Sequence, residues 1–407
     1  MERYCLDVST LFLVDRYSTG IPRTIYEFSK FVMEDANYVY LRFLPEIGFT
    51  SVSRSELKAR IEILKGKGVS KVAHRNKKPI ALRVKMKIER KLGIGNKKRG
   101  VTQFEFCSSD KLLSFGAGWN NEQEASHIKK LKSIGVKYYL MIYDLIPYYG
   151  PHLFPEHIRV PYNAWLNSAL MESDKVFCIS ANTSKDVLRY LDENSLHKMP
   201  IEIVRLGDDI GDFNIDLVRE DIVNLTKEKF VLAVGTLQFR KNQHLLLGAW
   251  RTFAERGLNV PNLILVGRTG WLHGEIHHHA KFDPRINKTV KIISDASDDE
   301  LGYLYSKCLF TLNPSIYEGW GLPAAESLLN NKVTLVANNT SIIEVWSGEG
   351  VIPLDPFNQR EWEHAILDLC NSPEKLLAKE DLIKAKYAPT TWENFSEKLS
   401  QSISFPE

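Results

Sequence analysis

Short apolar runs alternate with segments of helical period along the second half of the chain. KFVLAVG (229–235), NLILVGR (262–268), VKIIS (290–294), CLFTLNPS (308–315) and KVTLVAN (332–338) each precede a helix-patterned stretch. Such continuous apolar runs fit strands buried on both faces, and the intervening helices supply the crossovers of a parallel, doubly wound sheet. One helix start is marked locally: Ser297 and Glu300 in SDDE have capping-box spacing, which lets each satisfy a backbone donor left over at the first turn.

The first half follows a similar but less regular rhythm. CLDVST, YVYLRFL (38–44), KLLSFG (111–116), YYLMIYDLIP (138–147) and KVFCIS (175–180) read as strands, and EIVRLG (202–207) closes the series. The polar stretch GDDIGDFNIDLVRED (207–221) carries no strand signal. The chain therefore divides there, into an expected domain over 1–210, a second over 225–386 and a terminal helix within 387–407. Its 407 residues agree with two α/β domains.

Composition changes this picture little. Apolar residues make up 44% and charged residues 25%, as in ordinary globular proteins. No apolar run approaches the roughly 18 residues of a membrane span, and the start lacks the pattern of a secretion signal, so a cytoplasmic location is expected. Cys5, Cys107, Cys178, Cys308 and Cys370 are scattered and never form a CxxC pair, so they read as small core residues.

Charge changes it more. Residues 54–100 hold 17 Lys and Arg against three Glu, net +14, whereas the whole chain is +3. One basic insertion therefore either faces something anionic or is a solvated surface loop, and within it PIALRVKMKIERKL (79–92) leans to a helix opened by Pro79. An anionic membrane surface or a lipid diphosphate fits. A nucleic-acid backbone fits the charge as well, but the rest of the chain is acidic and no recognition-helix signature is present, so a nucleic-acid partner is disfavoured.

The candidate chemistry sits in IYEGWGLPAAESL (316–328). Gly321, Leu322 and Pro323 open a helix whose amides and dipole suit a diphosphate. Glu326, about one turn in, is placed to accept from a sugar diol, and Glu318 lies before the turn. Two glycines and a Trp in five residues point to a backbone approached closely by a partner. In VGTLQFRKN (234–242) a strand ends at Gly235 and Arg240 and Lys241 follow, a position where α/β sheets bind ligands and where a cation pair neutralises phosphate. Each feature also has a plain reading, as solvated ions or a first-turn acid. His277, His278 and His279 beside Glu275 cannot share one helical face, and no Asp-x-Asp pair occurs, so no metal site and no cofactor is expected.

Taken together, GTLQFRKN, LILVGRTGW, SDDELGYLY, PSIYEGWGLPAAESL and NNTSIIEV resemble, in order and spacing, the carboxyl-terminal domain of the retaining family 4 glycosyltransferases. GIPRTIYE (20–27), YDLIP (143–147) and FCISANTSKDV (177–187) resemble segments of their first domain less closely. The resemblance implies a GT-B fold, two Rossmann-like domains facing across a cleft. It also implies a nucleotide diphosphate sugar as donor, with Glu326 on the ribose and Arg240 and Lys241 on the diphosphate. Glu318 and the backbone of Trp320, Gly321 and Leu322 would hold the transferred sugar and its phosphate, with Gly20 and Arg23 beside the diphosphate and TTWENFSEKLSQSI (390–403) as a crossing helix. Tyr143 replaces a histidine common in the family, while Asp144 remains, to orient hydroxyls or to cap a strand. The expected activity is metal-independent, retaining transfer, with a lean to GDP-mannose, onto a lipid-linked saccharide acceptor of O-antigen or capsule synthesis. The site would then be peripheral on the inner face of the plasma membrane. A GT-B protein that binds sugar nucleotides without catalysis is the alternative.

Overall fold

The computed structural model describes residues 2–14, 20–66, 102–209, 213–271, 274–339 and 341–404. The basic insertion is covered only over its opening helix, Arg54–Gly66; the stretch 67–101, with the helix expected at 79–92, lies outside the described residues.

Two sheets carry the strands, seven in the first and six in the second. The first takes β1 (Tyr4–Asp7), β2 (Tyr38–Leu44), β3 (Gly48–Val52), β4 (Lys111–Ser114), β5 (Lys137–Ile142), β6 (Lys175–Cys178) and β7 (Ile201–Ile203). Within it β1 pairs parallel with β2 and with β4, β4 with β5, and β6 with β7. One strand breaks the parallel rule, because β3 runs antiparallel to β2 as a hairpin, with Leu44 opposite Gly48. Contacts divide the chain into two compact units, Met1–Leu140 with Asn167–Asp174, and Met141–Leu166 with Lys175–Glu407.

The second sheet belongs wholly to the second unit. Its strands are β8 (Phe230–Val234), β9 (Asn262–Val266), β10 (Val290–Ile293), β11 (Thr311–Asn313), β12 (Thr334–Ala337) and β13 (Val351–Leu354), in the order β10-β9-β8-β11-β12-β13. Every pair is parallel, and the order reverses between β8 and β11. Loops leaving the carboxyl ends of strands at such a reversal diverge and leave a crevice, the usual ligand position of these sheets.

Alternation along the strands builds the core. Phe230 and Leu232 of β8 share one face with Ile264 and Val266 of β9, against Tyr303, Leu304 and Tyr305 of the helix Asp298–Lys307. Burying each of these side chains contributes about 1.5–3 kcal/mol. The same helix opens with the expected capping box: Glu300 N donates to Ser297 Oγ at 3.1 Å and Ser297 N to Glu300 Oε2 at 2.8 Å. The expectation for the cysteines is corrected at one position. Cys5, Cys178 and Cys308 are buried and Cys370 is partly buried, but Cys107 is exposed: it lies just before the turn leading into β4, where its sulfur accepts from Arg3 and donates to Asp110.

Candidate active site

β8 is followed directly by Gly235, whose φ of +149° belongs to backbone that side chains rarely adopt. A β-carbon there would meet Lys241 Cε at 3.4 Å. The chain then turns through a 310 segment, Phe239–Lys241, closed by Asn242 in left-handed conformation. That turn presents Arg240 and Lys241 to the loop that follows β11, and Ile316 N donates to the Arg240 carbonyl at 2.8 Å to fasten the two loops.

Glu318 is the meeting point. Its carboxylate accepts from Arg240 Nη1 at 2.8 Å, from Ser315 Oγ at 2.7 Å and from Lys241 Nζ, and only 7% of the residue is exposed. Burial alone disfavours its charge, yet Arg240 and Lys241 outweigh that and hold its pKa down to about 2. Burial likewise works against Arg240, but the carboxylates of Glu318 and Asp144 raise its pKa. Lys241 goes the other way: desolvation lowers its pKa despite Glu318, and the neighbouring guanidinium adds to the fall. Arg240 and Lys241 thus meet the Glu318 carboxylate, with Asp144 nearby, in a poorly solvated place where an arriving anion would find two charged donors at close range.

The turn itself is packed by the chain. A β-carbon on Gly319 would stand 2.1 Å from the Tyr143 carbonyl oxygen, and one on Gly321, at φ +108°, would stand 2.2 Å from Ile342 Cγ1. Neighbouring backbone and core by themselves therefore require glycine at both positions. Trp320 is also covered from within, at 5% exposure, with the Arg205 guanidinium 5.1 Å from its ring centre. Leu322 is the first residue of the helix Leu322–Leu329, with Gly321 as its cap position and Pro323 behind it. Glu326, one turn on, is buried and accepts from Tyr305 Oη at 2.9 Å.

Asp144 follows β5 and accepts from Ile146 N at 3.1 Å, a local cap. Burial raises its pKa, with the Arg240 charge opposing, so it belongs to the electrostatic neighbourhood of the Arg240, Lys241 and Glu318 cluster. Tyr143 is buried, and its carbonyl accepts from Thr183 Oγ1 at 3.2 Å. Gly20 and Arg23 belong to the other unit, where Gly20, at φ +28°, opens the helix Gly20–Phe31. His277 meets Thr269 through Nε2 at 3.2 Å. Among the described residues no group of three or more His, Cys, Asp or Glu is placed to hold a metal ion.

Several contributors escape sequence reasoning. Ser315 and Ser341 fix Glu318 from both ends, the second by donating its Oγ to the Glu318 carbonyl at 2.6 Å. Both lie inside motifs quoted above, but a serine in a loop has no periodic signal. Tyr305, in ELGYLYSK, reads as an ordinary core aromatic, and only the fold turns its hydroxyl to Glu326.

Residues 214–387 match the family of glycosyl transferases group 1. Over 246 residues the chain is 24% identical to the serotype-specific mannosyltransferase WbdA of Escherichia coli, a match spanning 56% of this chain and 30% of that one. It is 24% identical over 238 residues to the O-antigen chain mannosyltransferase RfbU of Salmonella typhimurium, covering 58% of this chain and 62% of the relative. The matches thus span about a third of the first relative's length and under two thirds of the second's. Among solved structures, a sucrose-phosphate synthase from Thermosynechococcus elongatus superposes with a TM-score of 0.63 at 14% identity over 99% of this chain and 98% of its own. Anabaena Alr3699/HepE in complex with UDP gives 0.62 at 13% identity, covering 99% and 100%. The chain has the GT-B fold of two Rossmann-like, parallel-sheet domains, and it carries a group 1 glycosyltransferase domain over residues 214–387.

Proposed function

We propose that this protein is a retaining, metal-independent glycosyltransferase of family 4 that moves a hexosyl group from a nucleotide diphosphate sugar to a lipid-linked saccharide. GDP-mannose is the first donor to test, because WbdA and RfbU are named as mannosyltransferases and RfbU as acting on O-antigen chains. O-antigen or capsule synthesis on the cytoplasmic face of the membrane is the setting, and no described helix is long and apolar enough to cross a membrane. The working domains are 1–210, 225–386 and the helix within 387–407.

The carrying observation is the buried Glu318 carboxylate held by Arg240 and Lys241 beside the reversal of strand order in the second sheet. In this reading the two cations and the amides opening Leu322–Leu329 take the diphosphate, while Glu318 holds the sugar and Glu326 the ribose. Gly20 and Arg23 flank the diphosphate, and Asp144 orients hydroxyls. The bond between the anomeric carbon and the diphosphate oxygen breaks as negative charge gathers on that oxygen, where the cations stabilise it. An acceptor hydroxyl attacks the same face, its oxygen bonds to the anomeric carbon, and its proton passes to the departing diphosphate, so configuration is kept.

Incubation of purified protein with a panel of sugar nucleotides and saccharides, read as nucleoside diphosphate release, tests this. Losing a charged hydrogen bond to phosphate costs about 1.5–3 kcal/mol, so Arg240→Ala is expected to slow release roughly 10- to 150-fold. Undiminished release by Arg240→Ala and Glu318→Ala would sink the assignment. A second reading, binding without transfer, draws on Tyr143 in place of the histidine common among resembling enzymes; it expects donor binding with no release.

A further inference from the structure

Tyr317 is tied on two sides. Its carbonyl accepts from Arg240 Nη1 at 2.5 Å, and its phenol donates to Asp186 Oδ2 at 2.5 Å and accepts from Asn182 Nδ2 at 2.9 Å. Asn182 and Asp186 are one turn apart on the helix Ala181–Glu193, so they share a face and close on the phenol together. The first turn of that helix is fixed in turn, since the Glu344 carboxylate accepts from Ala181 N at 2.7 Å and Asn182 N at 2.8 Å. Thr183 Oγ1 also reaches the Gly319 carbonyl, at 3.4 Å. All of these residues lie in the second unit.

We propose that Tyr317 and Asp186 are positioning residues for the sugar-nucleotide site: their hydrogen bond anchors the loop bearing Glu318 and, through the Tyr317 carbonyl, sets the place of the Arg240 guanidinium. The inference rests on the reading of Arg240 and Glu318 as donor-binding residues. Neither Tyr317 nor Asp186 touches the donor in this scheme. Their effect passes through one peptide unit, because any shift of the phenol moves an acceptor of Arg240 and the backbone of Glu318 together. Sites of this kind lose binding and rate when their supports loosen by fractions of an ångström.

The test compares the full chain with Tyr317→Phe, Asp186→Asn, Asp186→Ala and the Tyr317→Phe/Asp186→Ala double variant. Binding of GDP and of UDP is read by calorimetry, donor KM and kcat by release assay, and folding by thermal unfolding. Tyr317→Phe keeps the ring and is expected to weaken nucleoside diphosphate binding and raise donor KM about 10-fold. Asp186→Asn keeps an acceptor oxygen and should stay close to the parent, and the double variant should be no worse than its poorer single. A purely structural role would lower the folded fraction, and with it apparent kcat, while leaving KM unmoved; that result, or parental constants in Tyr317→Phe, overturns the inference. If the parent binds neither nucleotide and releases none, the donor-site reading falls and takes this inference with it. If the parent binds and Tyr317→Phe binds equally, only the inference falls.

Discussion

Gly319 lies against the carbonyl oxygen of Tyr143 so closely that a β-carbon at position 319 would be 2.1 Å from it and 3.0 Å from Asp144 Cβ. Backbone cannot yield as a flexible side-chain tip can. Gly319→Ala is therefore expected to push the 315–321 loop away and to cost about 1–3 kcal/mol, the usual penalty of overpacking. Turnover should fall further than stability, since the same loop carries Glu318. Thermal unfolding beside a release assay checks both.

Glu318 makes an acid-limb prediction. Its folded pKa of about 2 lies below that of an unfolded glutamate near 4.5, so its contribution to stability is complete above pH ~4.5 and is lost as pH falls toward 2. Glu318→Gln should flatten the stability profile in that window. At pH 7 it should destabilise by about 3–5 kcal/mol, because Arg240 and Lys241 remain buried without their counter-charge. Urea titrations at pH 3 and pH 7 measure this, and a parent-like slope between them would contradict it.

Glu326 separates two kinds of loss. Glu326→Ala removes the acceptor at 2.9 Å of the buried Tyr305 hydroxyl and leaves it only the Pro323 carbonyl at 3.3 Å, a cost of about 0.5–1.5 kcal/mol, and on the proposed reading it also raises donor KM. Tyr305→Phe should reproduce a stability change with little change in KM. If both variants shift KM alike, ribose binding by Glu326 is not the cause.

In the first unit, Glu124 is buried and its pKa is pushed well above the ordinary value by burial and then by the charge of Asp7. For an acid whose folded pKa is raised, stability is greatest below the unfolded pKa and declines as pH rises toward the folded one. Glu124→Gln should remove that decline and leave the protein more stable than the parent at pH 8. Melting temperatures at pH 5 and pH 8 decide it.

Local chemistry was the legible part of this sequence. The capping box at Ser297 and Glu300 needs only residues three apart, and β8, β9, β10 and β12 announce themselves as apolar runs. β13, Val351–Leu354, is four residues with a proline, a composition that edge strands tolerate and that carries little signal. The antiparallel β3 was hidden for a similar reason, since GFTSV is half polar. At the site, Glu318, Arg240 and Lys241 could be singled out by type, but their ion pairs join positions 77 and 78 residues apart and follow only from the adjacency of β8 and β11. The same holds for Tyr317 with Asp186, where a tyrosine in a loop and an aspartate in a helix have no local reason to meet.

Because Glu318 already serves as counter-ion to Arg240 and Lys241, an anion arriving there enters a trade rather than a void. It must outbid a resident carboxylate that is covalently tethered and thus always in attendance. Monovalent ions such as chloride would gain little by the exchange, whereas a multivalent phosphate could recruit both cations and leave the displaced glutamate turned toward whatever neutral, hydroxylated group the phosphate carries.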